Sequence, residues 1–422
     1  MTSRLGSSRS PRDNGEKRFT NSSFCGSGCR RTERAPSRTG EAASPWGQRP
    51  CSPAHSPHPS RSGNPQEPTH RTSIMSTIAE TRPTTSPRSF PTPDAPTPDA
   101  PTREDPDRTG YCPFPLSSDA RAFGLTTSSM RLRQATVSVR HGRRTGSETA
   151  TILLHGAAGS WTTWTPLLAA AEASGLGLTD LIIPDLPGWG DSPLPAAGPS
   201  RSIEATAAVV AEIAWALGYR SWTVIGHSLG GFVALELAAS ETRSTAFVGL
   251  VSATTFSVID TVRHPVARFA ALPGYSALLP VLRAVARAGR AGHGLIRLLH
   301  RTGLLRTLAA PLFRRPELLH ESVIGALATE LRPQAFAVAS DLAGTYDANR
   351  WARIECAVHA TQGDADIFVA ATDAARLRAV IRGFDLVTVP GTGHFAHVEK
   401  PYETLLHLLP NGCLPRSGVF PQ

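Results

Sequence analysis

Long apolar runs are missing from this sequence of 422 residues. No window approaches the roughly 18 consecutive apolar residues that a membrane-spanning helix requires. The N-terminal region contains arginines but no apolar stretch of the kind found in secretory signal peptides. The sequence therefore predicts neither a transmembrane segment nor a secretory signal, and we expect a cytoplasmic protein.

Cysteine and lysine are also scarce. Six cysteines are present, and the pair in "CGSGC" (25–29) has no second Cys or His pair that would complete a metal site. Unpaired thiols are typical of a reducing compartment. Only Lys17 and Lys400 are lysines, so arginine carries the net charge of +9, a bias more typical of genomic base composition than of nucleic-acid binding. We expect no metal, no organic cofactor and no nucleic-acid partner.

Aliphatic clusters are nearly absent from the first 129 residues. Ser, Pro, Arg, Thr and Gly dominate there, and "PTPDAPTPDAPT" (91–102) is a proline-rich repeat typical of an extended linker. Such a composition buries too little apolar surface to offset the entropy of ordering the chain. We predict a disordered tail over residues 1–129, within which Met75 is an alternative translation start.

Apolar strands alternate with helical patterns in the rest of the chain. One predicted helix begins after Ser202, a typical N-cap residue, and ends at Gly218. Six segments each contain an apolar strand and the residues directly after it: "TATILLHG" (149–156), "LTDLIIPDLPGWGDS" (178–192), "SWTVI" (221–225), "TAFVGLVSAT" (245–254), "AVHATQGDAD" (357–366) and "DLVTVPGTGH" (385–394). This pattern predicts an α/β fold with a mostly parallel sheet covered by helices on both faces. In such sheets the reactive loops gather at the carboxyl ends of the strands.

Residues 255–350 interrupt this alternation. They predict three or four helices rich in Leu, Ala and Arg, which we interpret as a helical lid inserted into a core formed by 130–254 and 351–422. Residues 261–316 contain ten arginines and no acidic residue. Two interpretations stay open: a solvated helical surface, or a basic lid that contacts an anionic membrane surface or an acidic substrate.

Ser228 is the candidate nucleophile, at the centre of "GHSLGG" (226–231). The Gly-x-Ser-x-Gly pattern is weak alone, but here an apolar strand precedes it and a helical pattern follows it, as a sharp nucleophile turn requires. Gly226 and Gly230 are expected to leave room where a side chain would clash. His227 is expected to pack rather than act as the base.

A serine hydroxyl needs a positioned base, which is itself oriented by an acid. His394, directly after the last predicted strand, is the expected base, whereas His397 is expected to pack nearby. Asp366 is the preferred acid, Asp364 the alternative, and Asp260 a remote third candidate. Ala157 and Leu229 are expected to donate their backbone N–H groups to the oxyanion, and the carboxylate of Asp185 is expected to stabilise its own turn.

The quoted motifs resemble those of the α/β-hydrolase superfamily, in the lid-containing branch that uses a serine nucleophile. The resemblance rests on "LLHGAAGSWTTW", "PDLPGWGDS", "GHSLGG", "GDADIFV" and "GTGHFAHVEKP", which occur in the family's order over residues 130–410. It implies the α/β-hydrolase fold and a Ser-Asp-His triad, and "GHSLGG" is the form common in esterases and lipases. Epoxide hydrolases and haloalkane dehalogenases of this branch carry Asp at the nucleophile position, so Ser228 argues against both.

We therefore expect a serine hydrolase that cleaves a small-molecule carboxylic ester, with a hydrophobic acyl group, through an acyl-enzyme. Two other enzymatic hypotheses remain: hydrolysis of a carbon–carbon bond in a ring-cleavage keto acid, and a cofactor-free perhydrolase. A non-catalytic accessory protein on the same scaffold is a third hypothesis, disfavoured by the complete set of triad residues.

Overall fold

The computed structural model describes residues 110–408, and the predictions for 1–109 and 409–422 lie outside that range. Residues 110–129, which the composition assigned to the disordered tail, are folded. The strand Leu125–Arg131 pairs with Thr136–Gly142, and the buried Tyr111 donates its hydroxyl to Glu399 Oε2 at 2.7 Å. Composition misses this segment because its few apolar side chains become buried only against residues distant in sequence.

Eight strands form one sheet. They are β1 (Leu125–Arg131), β2 (Thr136–Gly142), β3 (Thr149–Leu154), β4 (Leu181–Pro184), β5 (Ser221–His227), β6 (Thr245–Val251), β7 (Ala357–Gly363) and β8 (Phe384–Val389). Their order across the sheet is β1-β2-β4-β3-β5-β6-β7-β8. The β1–β2 and β2–β4 pairs are antiparallel and the remaining pairs are parallel, which confirms the predicted mostly parallel sheet.

Twelve α-helices accompany the sheet in the described part of the chain. They are α1 (Thr165–Ala173), α2 (Ile203–Ala216), α3 (Leu229–Ser240), α4 (Phe256–Arg263), α5 (Pro273–Arg287), α6 (Arg290–Arg301), α7 (Leu304–Ala309), α8 (Glu321–Glu330), α9 (Pro333–Thr345), α10 (Ala371–Val380), α11 (Ala396–Glu399) and α12 (Pro401–Leu408). The Ser202 side chain accepts from Ala205 N at the start of α2, as predicted. None of the helices between residues 110 and 408 is long and apolar enough to cross a bilayer.

Hydrophobic clusters lie on both faces of the sheet. Successive residues of β5 point to opposite faces, so Val224 belongs to one buried cluster and Ile225 to the other. A strand buried on both sides needs apolar residues at consecutive positions, which explains its continuous apolar sequence. The predicted α/β-hydrolase architecture is confirmed.

Helices α4–α9 occupy the chain between β6 and β7 and form a helical insertion. One end of this insertion is held to the core by Asp373 of α10, which accepts hydrogen bonds from Thr255 Oγ1 at 2.9 Å and from Ser257 N at 3.1 Å. The insertion leaves the sheet at the same edge as the loops after β3, β5, β7 and β8, where the candidate site residues lie.

Candidate active site

Ser228 occupies a strained turn between β5 and α3. Its backbone has φ 51° and ψ −116°, a conformation that costs energy for any residue with a side chain. A Cβ on Gly226 would lie 2.3 Å from the carbonyl oxygen of Gly230, and one on Gly230 would lie 2.1 Å from that of Leu154. The predicted role of both glycines is confirmed, since neither position accepts a side chain without moving backbone atoms.

His394 lies against the serine hydroxyl. Its Nε2 is 3.0 Å from Ser228 Oγ. This distance allows a hydrogen bond along which a proton can move from the hydroxyl to the imidazole. The loop after β8 delivers the ring, and the His394 backbone N–H donates to the carbonyl oxygen of Leu312 in the insertion at 2.8 Å. Only 6% of Ser228 and 3% of His394 is exposed.

Asp366 completes a chain of hydrogen bonds. Both of its carboxylate oxygens lie 3.0 Å from His394 Nδ1, and its side chain is fully buried. The alternative acid, Asp364, instead accepts from Gly391 N at 3.0 Å and from Thr392 N at 3.2 Å, so it shapes the loop before His394. The structure thus brings together the three residues of the preferred assignment.

The remote candidate Asp260 pairs with Arg376 at 2.7 Å on the outer side of α4. Asp185, expected to stabilise a turn, does so: it accepts from Asp191 N and Trp161 N, each at 3.0 Å. The buried Arg140 also pairs with Asp185, a partner that the sequence analysis did not identify. Both aspartates therefore have structural partners away from the serine.

Ala157 and Leu229 flank Ser228 from two sides. Leu229 begins α3, so its N–H belongs to the unpaired first turn of a helix, where partial positive charge accumulates. Ala157 lies in the turn after β3, next to Gly156, where a Cβ would come within 2.9 Å of Ser228 Cβ. No hydrogen bond between residues of the described range uses either N–H. Both donors are thus free for an anion.

Two further histidines support the site from behind. His227 Nε2–H donates to the His394 carbonyl oxygen at 2.9 Å, and its ring packs against His397 with centroids 4.4 Å apart. Burial, together with the proximity of His397 and His394, lowers the pKa of His227 well below its usual value. Burial likewise lowers the pKa of His397 to about 3. Neutral rings therefore pack beside His394, which agrees with the packing roles expected of both residues.

Glu399 is the residue of the site that the sequence analysis missed. Its buried carboxylate accepts hydrogen bonds from the backbone of Gly393 at 2.9 Å and of Phe395 at 3.2 Å, on either side of His394. It also accepts from Tyr111 Oη and from the Arg314 backbone in the insertion. Burial raises the pKa of Glu399. Glu399 lies five residues after His394 in the quoted motif, but that position alone does not indicate its hydrogen-bond donors at Tyr111 and Arg314.

The insertion closes over the site. Besides the Leu312 contact, Glu330 at the end of α8 accepts a hydrogen bond from Thr162 Oγ1 at 2.7 Å, in the loop that carries the Ala157 donor. Beside Leu229, a cavity of about 40 Å³ lies between the loop after β4 and α9, with mainly apolar lining that includes Trp189, Val233 and Leu342. A cavity of this size admits one or two waters.

Comparison with known proteins identifies the fold. Three solved structures illustrate this, each with a TM-score of 0.52: a protein provisionally described as a lipase from Acinetobacter baumannii (21% identical, covering 68% of this chain and 91% of that one), a hydrolase from Pseudomonas aeruginosa (20%, 67% and 96%) and a protein provisionally described as an acyltransferase from Salmonella enterica (19%, 67% and 93%). At these identities the likeness establishes the fold alone. No curated protein matches the sequence.

A family model matches the sequence directly. The model, described as the alpha/beta hydrolase family, covers residues 151–407 and so spans β3 to α12, including every candidate catalytic residue. The chain therefore belongs to the alpha/beta hydrolase family.

Proposed function

We propose that this hydrolase is a serine esterase that cleaves carboxylic esters with hydrophobic acyl groups through a Ser228–His394–Asp366 triad. The observation that carries the proposal is the unbroken hydrogen-bond chain from Ser228 Oγ through both nitrogens of His394 to the Asp366 carboxylate. A strained serine, an imidazole and a buried carboxylate linked in this order form a general-base-activated nucleophile.

The proposed reaction has two stages. His394 Nε2 takes the proton of Ser228 as Oγ attacks the ester carbonyl carbon, and the N–H groups of Ala157 and Leu229 hold the resulting oxyanion. The C–O bond to the alcohol then breaks, the alcohol leaves with the proton from His394, and an acyl-enzyme remains. Water repeats the sequence and releases the acid. Asp366 keeps His394 in the tautomer that accepts from Ser228 and stabilises the imidazolium.

Hydrophobic acyl groups are favoured by the apolar cavity beside Leu229. Leu229, which lines this cavity, directly follows Ser228 in the chain. Entry requires release of the insertion from the site loops, so we assign α4–α9 the role of a lid. We retain a cytoplasmic location as part of this proposal.

Active-site labelling tests the nucleophile. A fluorophosphonate probe is expected to modify Ser228 in the folded protein, and p-nitrophenyl esters are expected to give a burst of product that Ser228→Ala abolishes. Ser240→Ala, at the opposite end of α3 and exposed, is the matched control and is expected to keep both signals. Absence of labelling at Ser228 in folded protein would refute the proposal and favour the non-catalytic hypothesis.

A substrate panel tests the reaction class. Esters of increasing acyl length are compared with a ring-cleavage dienoate and with a peracid-forming assay. We expect kcat/KM to rise with acyl length because each added methylene group is removed from water in the apolar cavity. If the protein preferred the dienoate or the peracid-forming reaction, the proposed ester hydrolysis would be wrong and that alternative reaction would take its place. The proposed triad would still stand.

A further inference from the structure

The outer surface of the helical insertion exposes large apolar side chains. Seven of the eight such residues found between residues 110 and 408 lie within the segment 266–308. Five of them belong to α5–α7: Val281, Leu295, Leu298, Leu304 and Leu308. Scattered single leucines are ordinary on protein surfaces, but a group confined to three consecutive helices marks an interaction surface.

Helix α6 combines this apolar surface with positive charge. At 100° per residue, Arg290, Arg297 and Arg301 project from one side of the helix, because their spacings of seven and four residues complete whole turns. Leu298 lies on the neighbouring side, where 56% of it is exposed, whereas Ile296 points into the protein. The exposed half of α6 is therefore an arginine row bordered by leucine.

Helix α7 contacts α6 and also exposes leucines. Leu304 and Leu308 are one turn apart and are 53% and 63% exposed. We use the name α6–α7 surface for the side chains of Leu295, Leu298, Leu304 and Leu308 together with the three arginines named above.

The arginines of this surface form no ion pair with an acidic residue between positions 110 and 408. Elsewhere in the insertion, Arg283 pairs with Asp341, and Arg306 pairs with Glu321 at 2.9 Å. Among residues 110–408, no ion pair includes Arg290, Arg297 or Arg301, and residues 261–316 contain no acidic residue at all. The guanidinium groups of these exposed arginines are therefore available to anionic groups of a partner.

We propose that the α6–α7 surface docks on the surface of an anionic phospholipid bilayer. Leucines enter the boundary between headgroups and acyl chains, and arginines bind the lipid phosphates, in the arrangement of an interfacial amphipathic helix. A nucleic acid would match the arginines but would leave the leucines in water. A lipid surface offers phosphates to the arginines and an apolar boundary to the leucines. The inference does not rest on the proposed ester hydrolysis, because docking involves none of the triad residues.

Vesicle binding of the full chain tests the inference. The vesicles consist of ether-linked phosphatidylcholine, alone or with about 30% ether-linked phosphatidylglycerol, so no ester is present and turnover cannot affect the result. We expect binding to the anionic vesicles to exceed binding to the neutral ones at least tenfold. At about fivefold per arginine, the triple variant Arg290→Gln/Arg297→Gln/Arg301→Gln is expected to lower the anionic partition coefficient by roughly 100-fold.

A matched control distinguishes the effect of this surface from the effect of net charge. Arg220→Gln/Arg243→Gln/Arg382→Gln removes the same charge from exposed sites of the core and is expected to lower binding less than about fivefold. Leu295→Ser/Leu298→Ser is expected to weaken binding to both kinds of vesicle. Circular dichroism and thermal unfolding verify that each variant is folded.

Three results would overturn the inference. Equal binding of the wild type to neutral and anionic vesicles would exclude the electrostatic part. Equal losses in the two arginine triples would assign binding to net charge or to other parts of the chain. Self-association that the leucine variant abolishes, without vesicle binding, would assign the surface to a second copy of the chain.

Discussion

Charged side chains have different surroundings in two regions: the edge of the sheet that carries the candidate active site, and the α6–α7 surface. At the sheet edge, Glu399 and Asp185 are buried, and each carboxylate accepts several hydrogen bonds from neighbouring loops. On the α6–α7 surface, three arginines have no ion pair among the described residues, and leucines lie in water. The buried carboxylates thus have their hydrogen-bond partners within the fold, whereas the three arginines of the α6–α7 surface have no ion pair between residues 110 and 408.

The largest effect is expected from replacing Asp366, the acid of the proposed triad. In Asp366→Asn the side-chain amide donates to His394 Nδ1, so Nε2 carries the proton and cannot accept from Ser228. We expect kcat for a p-nitrophenyl ester to fall about 10⁴-fold, while vesicle binding through the α6–α7 surface is unchanged.

Asp364→Asn is the control for this prediction. The amide oxygen of Asn can still accept from Gly391 N and Thr392 N, so the loop before His394 keeps its hydrogen bonds. We expect a loss in kcat below about tenfold, as for a substitution that leaves the triad intact. Equal losses in the two variants would contradict the assignment of Asp366 as the acid.

A second prediction concerns the positioning of His394 by Glu399. Both carboxylate oxygens of Glu399 accept hydrogen bonds, so the NH2 group of Gln in Glu399→Gln must face donors in either orientation of the amide. A buried donor left without an acceptor costs about 1–3 kcal/mol of unfolding free energy. We expect that loss in urea unfolding, together with a lower kcat at nearly unchanged KM, because the loop that carries the base loosens.

Tyr111→Phe is the milder companion variant. It removes the hydroxyl that donates to Glu399 and accepts from Arg315 N, but it leaves the Gly393 and Phe395 contacts in place. We expect a loss of about 1–2 kcal/mol in unfolding free energy. A purely structural role of Glu399 would lower stability while leaving kcat at the wild-type value below the unfolding transition.

A third prediction concerns pH. The pKa of His397 falls from 6.5 to about 3 on folding because the ring is buried, with a smaller effect from His394. Above pH 6.5 the ring is neutral in both the folded and the unfolded state. As the pH falls from 6.5 toward 3, the ring becomes protonated in the unfolded chain but not in the folded protein, so the free energy of unfolding decreases. Between about pH 7.5 and 5.0 this site accounts for about 2 kcal/mol of lost unfolding free energy.

His397→Phe isolates that contribution. The ring continues to pack against Trp164 and His227 but has no proton to bind, so the stability difference between about pH 7.5 and 5.0 is expected to shrink by about 2 kcal/mol. Urea unfolding at the two pH values measures it. An unchanged difference would show that His397 is protonated in the folded protein.

The smallest expected effect comes from the α6–α7 surface. Leu298→Ser is expected to change the unfolding free energy by less than about 0.5 kcal/mol because the side chain is already largely in water. The same residue type in the core is the control: Leu167→Ala, at a fully buried position of α1, is expected to cost about 2–5 kcal/mol. A large loss at Leu298 would mean that the helix packs against another part of the chain.

Much of the fold and of the candidate site could be predicted from local patterns. The continuous apolar strands, the Ser202 cap and the glycines around Ser228 depend on neighbours in sequence or on strict steric limits, and the structure agrees with each of them. Two features could not be predicted. Residues 110–129 looked too polar to fold, and the role of Glu399 depends on donors from the N-terminal segment, the insertion and its own loop.

The choice between Asp364 and Asp366 shows where sequence reasoning ends. Both carboxylates come after β7 within four residues, and their order along the chain does not distinguish them. Only the turn of the backbone after the strand directs one toward His394 and the other toward the loop at Gly391.

Local sequence accounts for the alternation of strands and helices, the sharp turn at Ser228 and the excess of arginine over acidic residues in the insertion, because each depends on the identity and spacing of nearby residues. Tertiary contacts select the carboxylate that meets His394, bring Tyr111 and Glu399 to its loop, and leave certain leucines of the insertion in water. Those outcomes depend on contacts between residues far apart in the chain, which no local pattern encodes.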